Sequence, residues 1–241
     1  MNIKFTKMHG IGNDFIIIDD RKLHIADKIE YGTLAKKICK RRFSVGADGI
    51  IIIQNSEKIA QRVAMDVSMF DQYACSSPHT IFVESDNEEI INNFAKKIAK
   101  SLEDVNRILI PKKEITPEKS LEIIDIRTEY GIRGNVISSK GTEWTVICSN
   151  EKEFAKPTFS RVIQVRKFNK EFLLGENSSR KIQTIAVVME QEKRYEIIDK
   201  LTLLAGDRCP NVGNMSLFDS PWDGMFGMDR MIRWVTTYKT K

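Results

Sequence analysis

The four cysteines of this 241-residue chain, Cys39, Cys75, Cys148 and Cys209, lie far apart. Cys-x-x-Cys spacing for a metal or redox pair is therefore missing. In a reducing compartment they are free thiols, and a free thiol is by default a small buried hydrophobe. No apolar run reaches membrane-spanning length, and the start M-N-I-K-F-T-K lacks the apolar core of a signal peptide. The expected location is cytoplasmic. The excess of basic over acidic residues is small, 38 against 33 for a net charge of +5. It is scattered, with no basic run interleaved by aromatics, which argues against a nucleic-acid partner. Low-complexity segments and sequence repeats are absent too. What is present is ordinary for a globular protein: 41% hydrophobic and 29% charged residues. That is enough for one large domain or two small ones.

The chain is organised around Lys7 to Asp19, K-M-H-G-I-G-N-D-F-I-I-I-D. A turn broken by Gly10 and Gly12 leads through Asn13 into an apolar strand, with a second strand at Ile3–Thr6. Glycines let a ligand or another segment approach closely, and the Asn13 carboxamide both donates and accepts. The same turn also suits a plain strand connection. Thr33 to Arg41 reads as a helix with Leu34 and Ile38 on one face. Ser44 to Gly49 is a second small-residue turn, in which Asp48 best fits a turn-closing role. Ile50 to Ile53 follows as a strand buried on both faces.

Arg62 to Met69 reads as a further strand. In Tyr73-Ala74-Cys75-Ser76-Ser77-Pro78-His79, Ser76 or Ser77 with Pro78 makes a helix start. Cys75 would then lie beside a helix N-terminus, where its thiolate is favoured. The alternative is an inert buried thiol. Ser85 to Glu88 has capping-box spacing, and Ile90, Ile91, Phe94, Ile98, Leu102 and Val105 follow at helical spacing. Pro111 to Pro117 reads as a linker. Beyond it, strands are expected at Leu121–Arg127, Ile132–Ser138, Glu143–Cys148, Arg161–Val165, Glu171–Leu174 and Gln183–Met189, in a largely antiparallel sheet. A helix is expected at Tyr195–Ala205, then strands at Asn214–Phe218 and Met231–Thr237.

The first motif, together with Arg41 to Ile53 (R-R-F-S-V-G-A-D-G-I-I-I-I), resembles the start of the diaminopimelate epimerases. The likeness is densest over residues 4–53 and thinner beyond. It implies an α/β (α+β) fold of two similar domains, 1–115 and 116–241, each a curled, mostly antiparallel sheet around a helix. It implies a cofactor-independent amino-acid epimerase or racemase, an isomerase working on a diaminopimelate-like substrate in lysine biosynthesis, with no metal and no nucleic-acid or membrane partner. A homodimer is compatible with it.

Residue by residue, the resemblance makes Cys75 the catalytic thiol and Asn13, Asp66, Ser76, Ser77, Gln183 and Asn211 the substrate-binding set. Asp66 stands where the family has an asparagine. Cys75-Ser76-Ser77-Pro78 replaces the family's Cys-Gly-Asn-Gly, and Pro78 removes a backbone donor. The second Ala-Cys-Gly-Thr-Gly motif is missing: Thr236-Thr237 replace the Glu-Arg that precedes it, and the sequence stops at Lys241. Two-base inversion lacks its second thiol, so the alternative expectation is an inactive relative that binds a small amino acid or a partner protein.

Overall fold

The computed structural model describes residues 3–10, 13–20, 25, 29, 31–53, 56–173, 182–189, 191–204 and 206–217, and the single positions 221, 225, 226, 228 and 231. The Ile11–Gly12 half of the first glycine turn and residues 232–237 of the expected last strand lie outside them.

Three strands form the first sheet. β1 (Thr6–Gly10) pairs antiparallel with β2 (Asn13–Asp19), and β2 pairs parallel with β3 (Gly49–Ile53). Helix α1 (Tyr31–Ile38) crosses between the parallel strands and seats Leu34 on Ile16, Ile18 and Ile50. Asp48 fastens the return: its carboxylate accepts from the Asp14 amide at 2.7 Å and from Arg41 at 2.8 Å. Its own amide donates to Asp14 carbonyl at 2.8 Å. The expectation that β3 is buried on both faces is corrected, because it is an edge of this sheet and Ile51 and Ile52 are half-buried.

The second sheet has the order β4-β7-β6-β5, with β4 (Thr80–Val83), β5 (Asn135–Ser138), β6 (Thr145–Ser149) and β7 (Val162–Lys167). Only the β5–β6 pair is antiparallel. The largely antiparallel second-half sheet is thus corrected: helical crossovers allow parallel pairing. β6 and β7 are covered on both faces. Val146, Cys148, Ile163 and Val165 join α2 (Ser56–Ser68) and α3 (Glu88–Asp104) in one core. Ile147 and Val162 face the other way, onto Ile123 and Tyr130 of α4 (Pro117–Arg133). Strand alternation sorts these residues to opposite faces. The result is an α/β layer structure.

The second sheet and its core run across the expected 115/116 boundary. β4 comes from before it and β5, β6 and β7 from after it, and the largest core draws on both sides. One apolar cluster gathers buried residues between 16 and 50, and the largest gathers residues between 60 and 165.

Several expected elements change type. Residues 62–69 lie mostly in α2, not a strand. The longer window has Ile59, Ala60, Val63, Ala64 and Val67 at helical spacing, and Ala60, Val63, Ala64 and Val67 are buried. Pro117 does not end a linker but opens α4, with the Thr116 hydroxyl accepting from Lys119 amide. Leu121–Arg127 therefore lies in a helix. Asn87, not Ser85, caps α3, accepting from Glu89 amide at 2.8 Å. Glu171–Leu173 falls in the short α5 (Lys170–Leu173), and the Tyr195 segment forms α6 (Gln191–Leu204). Among the described residues Gln183–Met189 forms an isolated parallel bridge, Thr184 with Arg208, and no strand, and 214–217 is a series of turns.

Candidate active site: the Cys75 loop

α2 ends at Ser68, and the chain turns sharply through residues 69–79 before entering β4. Asp71 and Gln72 both adopt left-handed backbone, with φ of 49° and 66°. Such conformations are costly away from glycine and persist where surroundings over-determine them. Here the surroundings do so. The buried Gln72 side chain donates to Pro78 carbonyl at 2.7 Å and to Val162 carbonyl at 3.1 Å. The Asp71 carboxylate accepts from Nε of Arg161 at 2.5 Å, and Arg161 is fully buried. Ser160 amide donates to Asp71 carbonyl at 2.8 Å.

The facing turn is equally constrained. Phe159, Ser160 and Arg161 all have φ near +60°. Tyr73 stacks on Phe159 with ring centres 5.2 Å apart, and its hydroxyl pairs with Ser160 Oγ at 3.1 Å. His79 meets the edge of the Phe159 ring, and burial holds its imidazole below the usual value. Behind the turn, Lys112 donates to the carbonyls of Thr142 and Ser160 at 2.5 and 2.9 Å. Burial pushes its ammonium down to about 8, with Asp71 pulling the other way.

On this frame Cys75 is the one exposed thiol of the four. Cys148 is buried, and burial pushes it up to about 11. Burial also raises Cys39, reinforced by Asp48, and Cys209, where Arg194 opposes the effect. The expected helix after Cys75 is corrected: residues 76–79 contain no helix, and Pro78-His79 run into β4. Cys75 thus owes its presentation to the pinned loop, not to a helix dipole. Ser76 and Ser77 are buried beneath it, and Ser77 Oγ has no hydrogen-bond partner among the described residues.

The other expected site residues lie elsewhere. Asp66 is a buried α2 side chain whose oxygens accept from the amides of Gly213, at 2.6 Å, and Met215, at 3.1 Å. Burial outweighs those bonds and pushes its carboxyl up to about 6. Asn211 carbonyl accepts from Asn214 amide in the same 206–217 segment, and Gln183 carbonyl accepts from the amides of Asp207 and Arg208. Asp66, Gln183 and Asn211 therefore meet one segment, while Ser76 and Ser77 stay with Cys75. Asn13 opens β2 in the first sheet, opposite Gly10. Among the described residues no group of three His, Cys, Asp or Glu converges as a metal set would. Gln72, Asp71 and Arg161, which hold the loop, carry no sequence signal, since the pairs that matter span 90 residues.

Cys75 is thus an exposed thiol on an over-determined loop of an α/β layer structure. The chain belongs to the acyl-CoA reductase (LuxC) family, whose profile matches residues 21–234. Its other relationship is partial. A diaminopimelate epimerase of Desulforapulum autotrophicum is 58% identical over 57 residues, 24% of this chain and 20% of that protein. Those of Carboxydothermus hydrogenoformans and Methanococcus aeolicus are 48% and 53% identical over 56 and 57 residues, covering 20% and 18% of their lengths. The chain thus spans about a fifth of these curated relatives. A solved bifunctional proline utilization A (PutA) protein superposes with a TM-score of 0.47 at 15% identity, over 70% of this chain and 20% of its own. No helix among the described residues is long and apolar enough to cross a membrane.

Proposed function

We propose that this chain accepts acyl groups from acyl-CoA thioesters onto Cys75. The observation that carries the reading is the exposed Cys75 on a loop fixed by Gln72 and the Asp71–Arg161 pair, within a chain whose family is described as acyl-CoA reductase. The Cys75 thiolate attacks the thioester carbonyl carbon, the carbon–sulfur bond to coenzyme A breaks, and the leaving thiolate takes a proton from water. The product is an acyl thioester on Cys75. This exchange of one thioester for another balances without an electron donor. The reduction that the family description names would act later, on that thioester. The test is a single-turnover mixture of protein and acyl-CoA, with released coenzyme A quantified. About one equivalent per chain is expected, and Cys75→Ser should release none. Equal release from both proteins would defeat the reading.

A second reading is favoured by the epimerase-like N-terminal segment: a cofactor-independent epimerase with a degenerate site, or an inactive relative, binding a diaminopimelate-like amino acid. With one thiol in place, it predicts α-proton exchange in D₂O without inversion. Absence of deuterium at the α-carbon of diaminopimelate counts against it.

A further inference from the structure

A cavity of about 120 Å³ lies between α2 and the 213–217 turn. Its apolar walls are Met65, Met69 and Leu217, and its polar lining includes Asp66, Ser216 and Arg62. Two polar groups there are incompletely satisfied. The Asp66 carboxylate is 3% exposed and accepts two backbone amides, yet no cation lies within ion-pair distance of it among the described residues. Ser216 Oγ is buried with no hydrogen-bond partner among the described residues. An ionised carboxylate with four lone-pair sites and two donors has capacity left, and a buried one favours a cation strongly.

The charged groups around Asp66 leave that role open. Arg62, one helical turn earlier on α2, lays its stem along Gly213, and its guanidinium carbon sits 6.0 Å from the centre of the Tyr31 ring. Arg208 donates to the carbonyls of Met215 and Leu217 at 3.2 and 2.8 Å, so its charge is engaged with the outer side of the same turn.

We propose that this cavity binds a small primary alkylammonium group, its charge on Asp66 and Ser216 Oγ and its tail against Met65, Met69 and Leu217. A metal ion suits the site less, because hard cations want several oxygen ligands and the walls supply methionine and leucine side chains. A neutral alcohol fills the volume but leaves the carboxylate uncompensated. The head group donates to Asp66 on the lone pairs that Gly213 and Met215 leave free. The tail length is set by the cavity, which holds a chain of a few carbons and not a long one. Binding requires the ionised carboxylate. With Asp66 held up to about 6, occupancy rises with pH through that value, and binding below it expels a proton.

The experiment titrates the full chain with n-butylamine and with n-butanol at pH 7.5 and pH 5, following the Gly213 and Met215 amide resonances. Butylammonium should shift both amides saturably and bind about tenfold more weakly at pH 5, where roughly nine-tenths of such a carboxyl is protonated. Butanol should bind at least several-fold more weakly at pH 7.5, with no pH dependence. Asp66→Asn should remove the preference for the amine. Should that variant fail to fold, Met69→Trp, which fills the mouth, should weaken butylammonium at both pH values without changing their ratio. Equal binding of amine and alcohol, or shifts confined to other parts of the chain, overturns the proposal.

Discussion

Changing Asp71 to Asn tests whether the Cys75 loop is held by charge. Arg161 is fully buried, and among the described residues its side chain has two hydrogen-bond acceptors: Asp71 at 2.5 Å and the Asn106 carboxamide at 3.1 Å. Asn is chosen because it tolerates the left-handed backbone at this position, φ 49°, so that strain does not confuse the result. The substitution keeps an amide oxygen for Arg161 but removes the counter-charge. Removing one member of a buried pair costs about 3–5 kcal/mol. With an acceptor retained, the lower end applies, about 3 kcal/mol, or roughly a hundredfold in the folding equilibrium. Urea unfolding followed by tryptophan fluorescence should show a lower midpoint with an unchanged slope. Adding Arg161→Met should recover most of the loss, because the fully buried guanidinium is then gone and Lys112 keeps its bonds to the Thr142 and Ser160 carbonyls. A loss below about 1 kcal/mol, or a double variant less stable than either single one, would refute the reasoning.

Three further outcomes follow from the same physics. Asp20 is fully buried. Burial alone would raise its pKa, but the Ile25 amide, the Tyr31 hydroxyl and Lys58 together hold it below the usual value. Its contribution to stability is therefore full above about pH 4 and lost as pH falls toward the lowered value; Asp20→Asn should flatten that acid dependence in urea midpoints while costing about 1–3 kcal/mol at pH 7. Gly213 sits at φ +93°, where an added Cβ would come 3.0 Å from Arg62 Cγ. Gly213→Ala should cost about 1–2 kcal/mol in thermal unfolding and speed amide exchange at Met215. A thiol reagent at pH 8 should label Cys75 first and Cys148 only on unfolding, read by peptide mapping, because Cys148 is buried with its thiol pushed up to about 11.

The parts of the fold legible in the sequence were those with strong local signals. β2, the isoleucine run of β3 and the long periodic α3 all carry them, whereas β1 lies at Thr6–Gly10 and not at Ile3–Thr6. Parts of α2 and α4 read as strands because short apolar windows cannot separate period 2 from period 3.6. Their true extent shows only from Ser56 to Ser68 and from the Thr116 cap onward. The neighbours of Cys75 single it out in the sequence by a helix start that the structure does not contain, because Pro78 leads into β4. The support of the site was invisible, since Gln72 reaches Val162, Asp71 reaches Arg161 and Tyr73 reaches Phe159 across nearly 90 residues of chain. Such pairings are set by sheet topology. The parallel placement of β4 beside β7 brings them together, and no local pattern encodes it.

Cys75 is the acyl acceptor we propose. The most direct measurement is mass spectrometry of the chain after brief incubation with an acyl-CoA, followed by digestion and mapping of the acylated peptide. The account predicts a single acyl group, on Cys75, labile to hydroxylamine as a thioester is, and absent from Cys75→Ser. No acyl group, or one distributed over Cys39, Cys148 and Cys209 and retained in Cys75→Ser, would contradict it.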